Sequence, residues 1–223
     1  MSTVELGELN LRNGKNDVAF EIFFDLAQYE LSADAQFALI KMCSDGLLKT
    51  DQIESLMTWL NRESGRGNGY ADYNVGLIHE RGSIGNGPDY KKAVEFYKKA
   101  IEEDVHDALC NLGNIYITGV GASQGVPQDV EKGLELLAKG AELGSRQAAY
   151  TLGGYYGKGE IVPINYSKAF LYLTLASLAQ HDQAKRILLI MQHSVKDDFS
   201  KELEQAKHLH SKIENMRQLY KLL

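Results

Sequence analysis

The sequence predicts an all-α fold, a solenoid of antiparallel helix pairs stacked in series. A template of small residues recurs three times with constant internal spacing, all three prolines fall at one place in it, and glycine recurs inside segments whose apolar period is helical. In the first half of the template, Ala71 is followed by Val75-Gly76 and Gly82, Ala108 by Leu112-Gly113 and Gly119, and Ala148 by Leu152-Gly153 and Gly159, always at offsets +4, +5 and +11. In the second half, Asp89 precedes Ala93, Tyr97 and Ala100 at +4, +8 and +11; Asp129 precedes Gly133, Leu137 and Gly140, and Asn165 precedes Ala169, Leu173 and Ala176, at the same offsets. Eight residues separate the end of each second half from the next alanine (Ala100–Ala108, Gly140–Ala148, Ala176–Ala184), whereas the internal connections run 7, 10 and 6 residues. Constant halves and variable joints are the signature of two rigid helices linked by a loop.

Offsets of +4 and +11 place residues on one helical face. Small residues there let two backbones approach, which justifies glycine inside a helix against a propensity cost of roughly 1 kcal/mol relative to alanine. Gly82, Gly119 and Gly159 stand where the first helix should stop, and glycine suits a left-handed C-cap. Asp89, Asp129 and Asn165 stand as N-caps of the second helix, each preceded within one or two residues by Pro88, Pro127 or Pro163.

Taken in chain order, Met1 to about Asn13 match no part of the template. Asn16, Phe20, Phe24 and Ala27 reproduce the second-helix offsets, and Ala35, Leu39-Ile40 and Gly46 those of a first helix with isoleucine in the glycine position. Ile53 to Leu60 make a shorter apolar second helix containing Trp59, so 16–70 read as degenerate amino-terminal repeats. The three clear repeats fill 71–183. Ala184, Ile187, Leu188 and Met191 open the last part, 184–223, and Phe199, Leu203, Ala206, Leu209, Ile213, Met216 and Tyr220 continue it as capping helices of a single helical-repeat domain, 1–223.

Composition narrows function by exclusion. With 24 basic against 30 acidic residues the net charge is −6, which disfavours the basic surface that nucleic-acid binding requires. No basic start followed by an apolar run marks a secretory leader, and no run of apolar residues is long enough for a membrane span. Cys43 and Cys110 lie outside any paired-cysteine or histidine-rich pattern, so no metal or cofactor is expected and a reducing cytoplasmic setting fits. His79-Glu80 lacks the second histidine of a zinc-protease motif, since position 83 is Ser83, and His79 takes the place of Tyr116 and Tyr156 in the next copies, which favours packing. His208 and His210, two apart, point to different faces of one helix. Gly65 to Gly69 and Gly82 to Gly87 follow no strand and precede no Gly-Lys-Ser/Thr, so they read as turns rather than a phosphate cradle. Lys91-Lys92 and Lys98-Lys99, answered by Glu95, Glu102 and Glu103, read as a solvated, ion-paired face. No Ser/His/Asp spacing singles out a triad.

The runs Ala71 to Gly82, Gly125 to Asp129 and Asp89 to Ala100 resemble the Sel-one-like repeat (SLR), a relative of the tetratricopeptide repeat. The resemblance implies a right-handed superhelix whose first helices line a concave groove, and an adaptor or scaffold role with a protein or peptide as partner. Carried over from the tetratricopeptide pattern, groove positions are Tyr73, Asn74, Leu77, Glu80 and Arg81 in one repeat, Asn111, Asn114 and Ile117 in the next, and Tyr150 and Lys158 in the third. Asparagines there suit the backbone of an extended ligand and tyrosines offer flat apolar area; the competing reading is that Asn74 and Asn111 bond neighbouring helices. A non-catalytic interaction scaffold is the expected function. The alternatives are an inhibitor or immunity protein masking a toxin or enzyme, and a hydrolase, for which the sequence supplies no converging ionisable cluster.

Overall fold

The computed structural model describes residues 2–30, 32–85, 87–195 and 198–220; the side chain of Tyr220 and residue Asn86 lie outside the described residues. Every regular element among the described residues is helical. Backbone contacts divide the chain into two compact units, Met1–Asp104 and Val105–Leu223.

The first unit holds α1 (Thr3–Arg12), α2 (Asn16–Tyr29), α3 (Ala33–Ser44), α4 (Thr50–Ser64), α5 (Gly69–Arg81) and α6 (Tyr90–Glu102). Helix α1 occupies the segment the repeat template left unassigned. Its start is a reciprocal capping box: Ser2 Oγ accepts from the Glu5 N–H at 3.2 Å and the Glu5 carboxylate accepts from the Ser2 N–H at 2.7 Å. Gly7 of α1 lies against Phe23 of α2, so close that a Cβ would sit 2.6 Å from the ring. The core of this unit gathers Phe20, Phe23, Leu39, Met42, Leu56, Leu60, Val75 and Ile78.

The second unit holds α7 (Asp107–Thr118), a short 3-10 turn (Ala122–Gln124), α8 (Val130–Glu142), α9 (Arg146–Lys158), α10 (Tyr166–Leu178), α11 (Asp182–Ser194) and α12 (Ser200–Tyr220). Leu137, Ala148 and Leu152 form part of its interior, and α12 folds onto α10, where Phe199 stacks on Phe170 with centroids 4.4 Å apart.

Three hairpins, α5–α6, α7–α8 and α9–α10, share one packing device. The second-helix residue at +8 drops onto the first-helix glycine at +5. A Cβ on Gly76 would lie 2.7 Å from the Tyr97 ring, one on Gly113 3.1 Å from Leu137 Cγ, and one on Gly153 2.8 Å from Leu173 Cγ. The bulky partners are buried as a result: Tyr97 and Leu137 are 0% exposed. Where isoleucine replaces the glycine, at Ile40, the backbones of α3 and α4 do not nest in the same way.

A second shared device closes each loop. The N–H of Asp89, Asp129 and Asn165 donates to the carbonyl of His79, Tyr116 and Tyr156 respectively, each at 2.9 Å. The same three cap side chains accept from the N–H of Lys92, Lys132 and Lys168 at 3.0, 3.0 and 2.9 Å. The lysines then reach back: Lys132 Nζ lies 4.3 Å from the Tyr116 ring centre and Lys168 Nζ 4.8 Å from that of Tyr156. The first hairpin carries histidine at this place. His79 is 7% exposed and stacks on Phe96 at 5.8 Å.

Burial, and then the positive charge of Lys92, hold the His79 imidazole below its ordinary value of 6.5. A histidine depressed in the folded state contributes fully above that ordinary value, and the contribution is lost as pH falls through its folded value. The first unit is therefore expected to lose stability on mild acidification, starting below pH 6.5. His79→Tyr, which installs the residue of the sister hairpins, should flatten that limb. Denaturant unfolding of both proteins across the window checks it; an unchanged acid limb in the variant would locate the sensitivity elsewhere.

Candidate docking groove

Helices α3 and α5 are the first helices of consecutive hairpins and pack side by side within the first unit. Between them lies a groove of about 450 Å³. Its α3 wall is Ala33, Gln36, Phe37, Ile40 and Lys41, a stripe at i, i+3, i+4, i+7 and i+8. Its α5 wall is Tyr70, Tyr73, Asn74, Leu77 and Arg81, with the cap residue Asn68 at one end. Phe37 is 71% exposed and Tyr70 60%, two large apolar side chains on one concavity.

The local sequence explains how these side chains are held. Asn68 caps α5, its Oδ1 accepting from the N–H of Tyr70 and Ala71 at 3.1 and 3.4 Å. Tyr73 leans on the buried Tyr97 with ring centres 5.9 Å apart. Arg81 Nη1 donates to Ser44 Oγ at 2.8 Å, tying the end of α5 to the end of α3. Asn74, 8% exposed, lines the same wall, and its side-chain amide makes no hydrogen bond with a described residue.

The positions expected from the sequence separate into three sets. Tyr73, Asn74, Leu77 and Arg81 line this groove together. Glu80 and Ile117 lie elsewhere, which corrects their assignment. Both stand nine residues after the template alanine, one turn past the glycine, and so face the second helix. Glu80 is half-buried and accepts a hydrogen bond from the Tyr97 hydroxyl; Ile117 is 0% exposed over Gly133. Burial pushes the Glu80 carboxyl above its ordinary value, opposed by the Tyr97 bond and by Arg81.

The remaining positions belong to the second unit, where a polar row ties the first helices together. Asn114 Oδ1 accepts from the Tyr155 hydroxyl at 3.1 Å, and its Nδ2 approaches Cys110 Sγ at 3.9 Å. Thr151 Oγ1 lies 3.8 Å from that sulfur, Gln147 donates to Thr151 at 3.5 Å, and His181 pairs with Gln147 at 3.4 Å. Tyr150 is stacked on His181 at 4.1 Å, Asn111 is half-buried and Lys158 is exposed. Asn114 and Tyr150 are thus engaged in intramolecular contacts.

Phe37, Tyr70, Gln36 and Lys41 were not anticipated. Phe37 stands two residues after Ala35, as Tyr73 does after Ala71; applying the template to the degenerate copy would have found it. Among the described residues no group of three or more His, Cys, Asp or Glu side chains is placed to hold a metal ion, and no helix is long and apolar enough to cross a membrane.

The profile of the Sel1 repeat matches residues 69–105, 106–145 and 146–181. A stretch of 98 residues, 44% of this chain, is 31% identical to cytochrome c oxidase assembly factor 7 of Xenopus tropicalis and spans 41% of that relative, well under half its length. Among solved structures, a Sel1 repeat protein from Oxalobacter formigenes is 23% identical, with 94% of this chain and 86% of that one covered at a TM-score of 0.58, a likeness of fold. The immunity protein Pa5087 from Pseudomonas aeruginosa is 21% identical over 70% of this chain and 73% of that one, with a TM-score of 0.33.

Proposed function

The chain belongs to the Sel1 repeat family, and from that premise we propose that it is a non-catalytic adaptor that holds a segment of another protein in the groove between α3 and α5. Repeats of this family generally serve as protein-interaction scaffolds. The observation that carries the assignment is the pair Phe37 and Tyr70, standing exposed on facing walls of one concavity. Aromatic anchors in a pocket are where binding energy concentrates. A cytoplasmic setting, where thiols stay reduced, suits the two buried cysteines, Cys43 and Cys110, neither of which is in a disulfide.

Replacing both anchors, Phe37→Ala with Tyr70→Ala, is expected to weaken partner binding by about 3 kcal/mol, on the order of a hundredfold, with the melting temperature unchanged because both side chains already face solvent. Tyr73→Ala should weaken binding less. Affinity capture from the native organism with wild type and double variant side by side gives the readout. A variant that retains the same proteins at the same yield would remove the groove from consideration.

A further inference from the structure

We propose that the occupant of this groove is an extended peptide segment that carries an acidic group next to an apolar or aromatic side chain; the inference rests on the docking role assigned above and adds the chemistry of the partner. The groove is a positive island on a negative protein. The chain carries 30 acidic residues against 24 basic ones, yet its lining includes Lys41 and Arg81 and no described Asp or Glu. Neither cation makes an ion pair with a described residue. The adjacent acid, Glu80, is turned onto Tyr97 and does not line the groove.

The two cations sit at the same end. Arg81 is fixed by its bond to Ser44, the last residue of α3, and Lys41 lies one turn before Ser44 on that helix. A guanidinium has five donors, so one bond to a hydroxyl leaves most of the fork for a carboxylate. Phe37 and Tyr70 stand nearer the opposite end, so a ligand's apolar side chain and its acid are read by different stretches of one groove.

The extended conformation follows from the amides. Gln36, Asn68 and Asn74 line the walls. The amides of Gln36 and Asn74 each carry a donor and an acceptor, while Asn68, whose oxygen caps α5, offers its N–H donors. A helical ligand would satisfy its own backbone and leave these groups little to bond, whereas an extended one presents free N–H and C=O groups along its length.

The test uses the full chain as bait for a displayed library of random short peptides, with the enriched sequences then synthesised and titrated. The expected result is enrichment of Asp or Glu beside Phe, Tyr, Trp or Leu. Lys41→Gln with Arg81→Gln should then weaken the acidic peptide about tenfold and its Asp→Asn or Glu→Gln counterpart hardly at all, and added salt should weaken only the acidic form. Each peptide is made with a free and an amidated carboxy terminus, so that a side-chain acid and a terminal carboxylate are told apart. Enriched peptides that need the aromatic residue but no acid would overturn the proposal and leave the docking groove standing. Peptides that bind equally to the Phe37→Ala, Tyr70→Ala variant would overturn both, and a library yielding no binder overturns the peptide proposal.

Discussion

Gly133→Ala is expected to destabilise the second unit by about 3 kcal/mol, although alanine is the better helix former by roughly 1 kcal/mol. A Cβ at position 133 would lie 2.4 Å from Ile117 Cγ1, 2.6 Å from the Gly113 carbonyl oxygen and 3.1 Å from the Ile117 amide nitrogen. A side-chain end can swing aside, but the other two are backbone atoms of α7. Relief requires α7 and α8 to separate, which loosens the packing around Leu137. Gly154→Ala supplies the control: it is also helical, but its Cβ would meet nothing within 4 Å, so the variant should be neutral or slightly more stable. Urea unfolding with amide exchange read in α7 and α8 measures both. A Gly133→Ala protein as stable as wild type would refute the close-packing account.

Tyr97→Ala should cost the first unit about 4 kcal/mol, the range for deleting a fully buried aromatic. Tyr97 is 0% exposed, fills the hollow over Gly76, contacts Tyr73 and donates its hydroxyl to Glu80. Tyr97→Phe separates the hydroxyl from the ring. Burial raises the Glu80 carboxyl and the Tyr97 bond partly offsets this, so the phenylalanine variant should raise it further. An acid raised in the folded state costs nothing below its ordinary value of 4.5, where both states are protonated, and its penalty grows as pH climbs through the folded value. Tyr97→Phe is therefore expected to lose about 1–2 kcal/mol at neutral pH and much less in acid. Adding Glu80→Gln should remove that pH dependence. A Tyr97→Phe penalty that is the same at every pH would mean that the hydroxyl does not serve the carboxylate.

The repeat was legible because it depends on residues with few substitutes. Glycine where a helix crosses another, an acid or asparagine at a cap and proline just before it each answer one steric or hydrogen-bonding demand, and the demand recurs in all three hairpins. Helix α1 escaped notice because it is a shortened copy, although Ser2, Glu5 and Gly7 carry its cap and its close contact. The groove was half legible. Positions two, three, six and ten after the template alanine gave Tyr73, Asn74, Leu77 and Arg81, while position nine gave Glu80 and Ile117, which turn inward with the glycine. Which asparagine is engaged inside the protein depends on what the adjacent first helix presents. Tyr155 meets Asn114, and no single-repeat pattern encodes that pairing.

The hydrogen bond from each cap N–H to a carbonyl near the end of the preceding helix lets the hairpins accept joints of different length. The same 2.9 Å bond joins residues 9, 10 and 13 apart in the three hairpins, so helix register is set at the two anchor points and not by the length of chain that bulges out. Such a joint turns the bulge into an exchangeable appendix. New sequence can be spliced in at the exposed residues Ala122 to Gln124 for the slowly growing entropy of a longer ring.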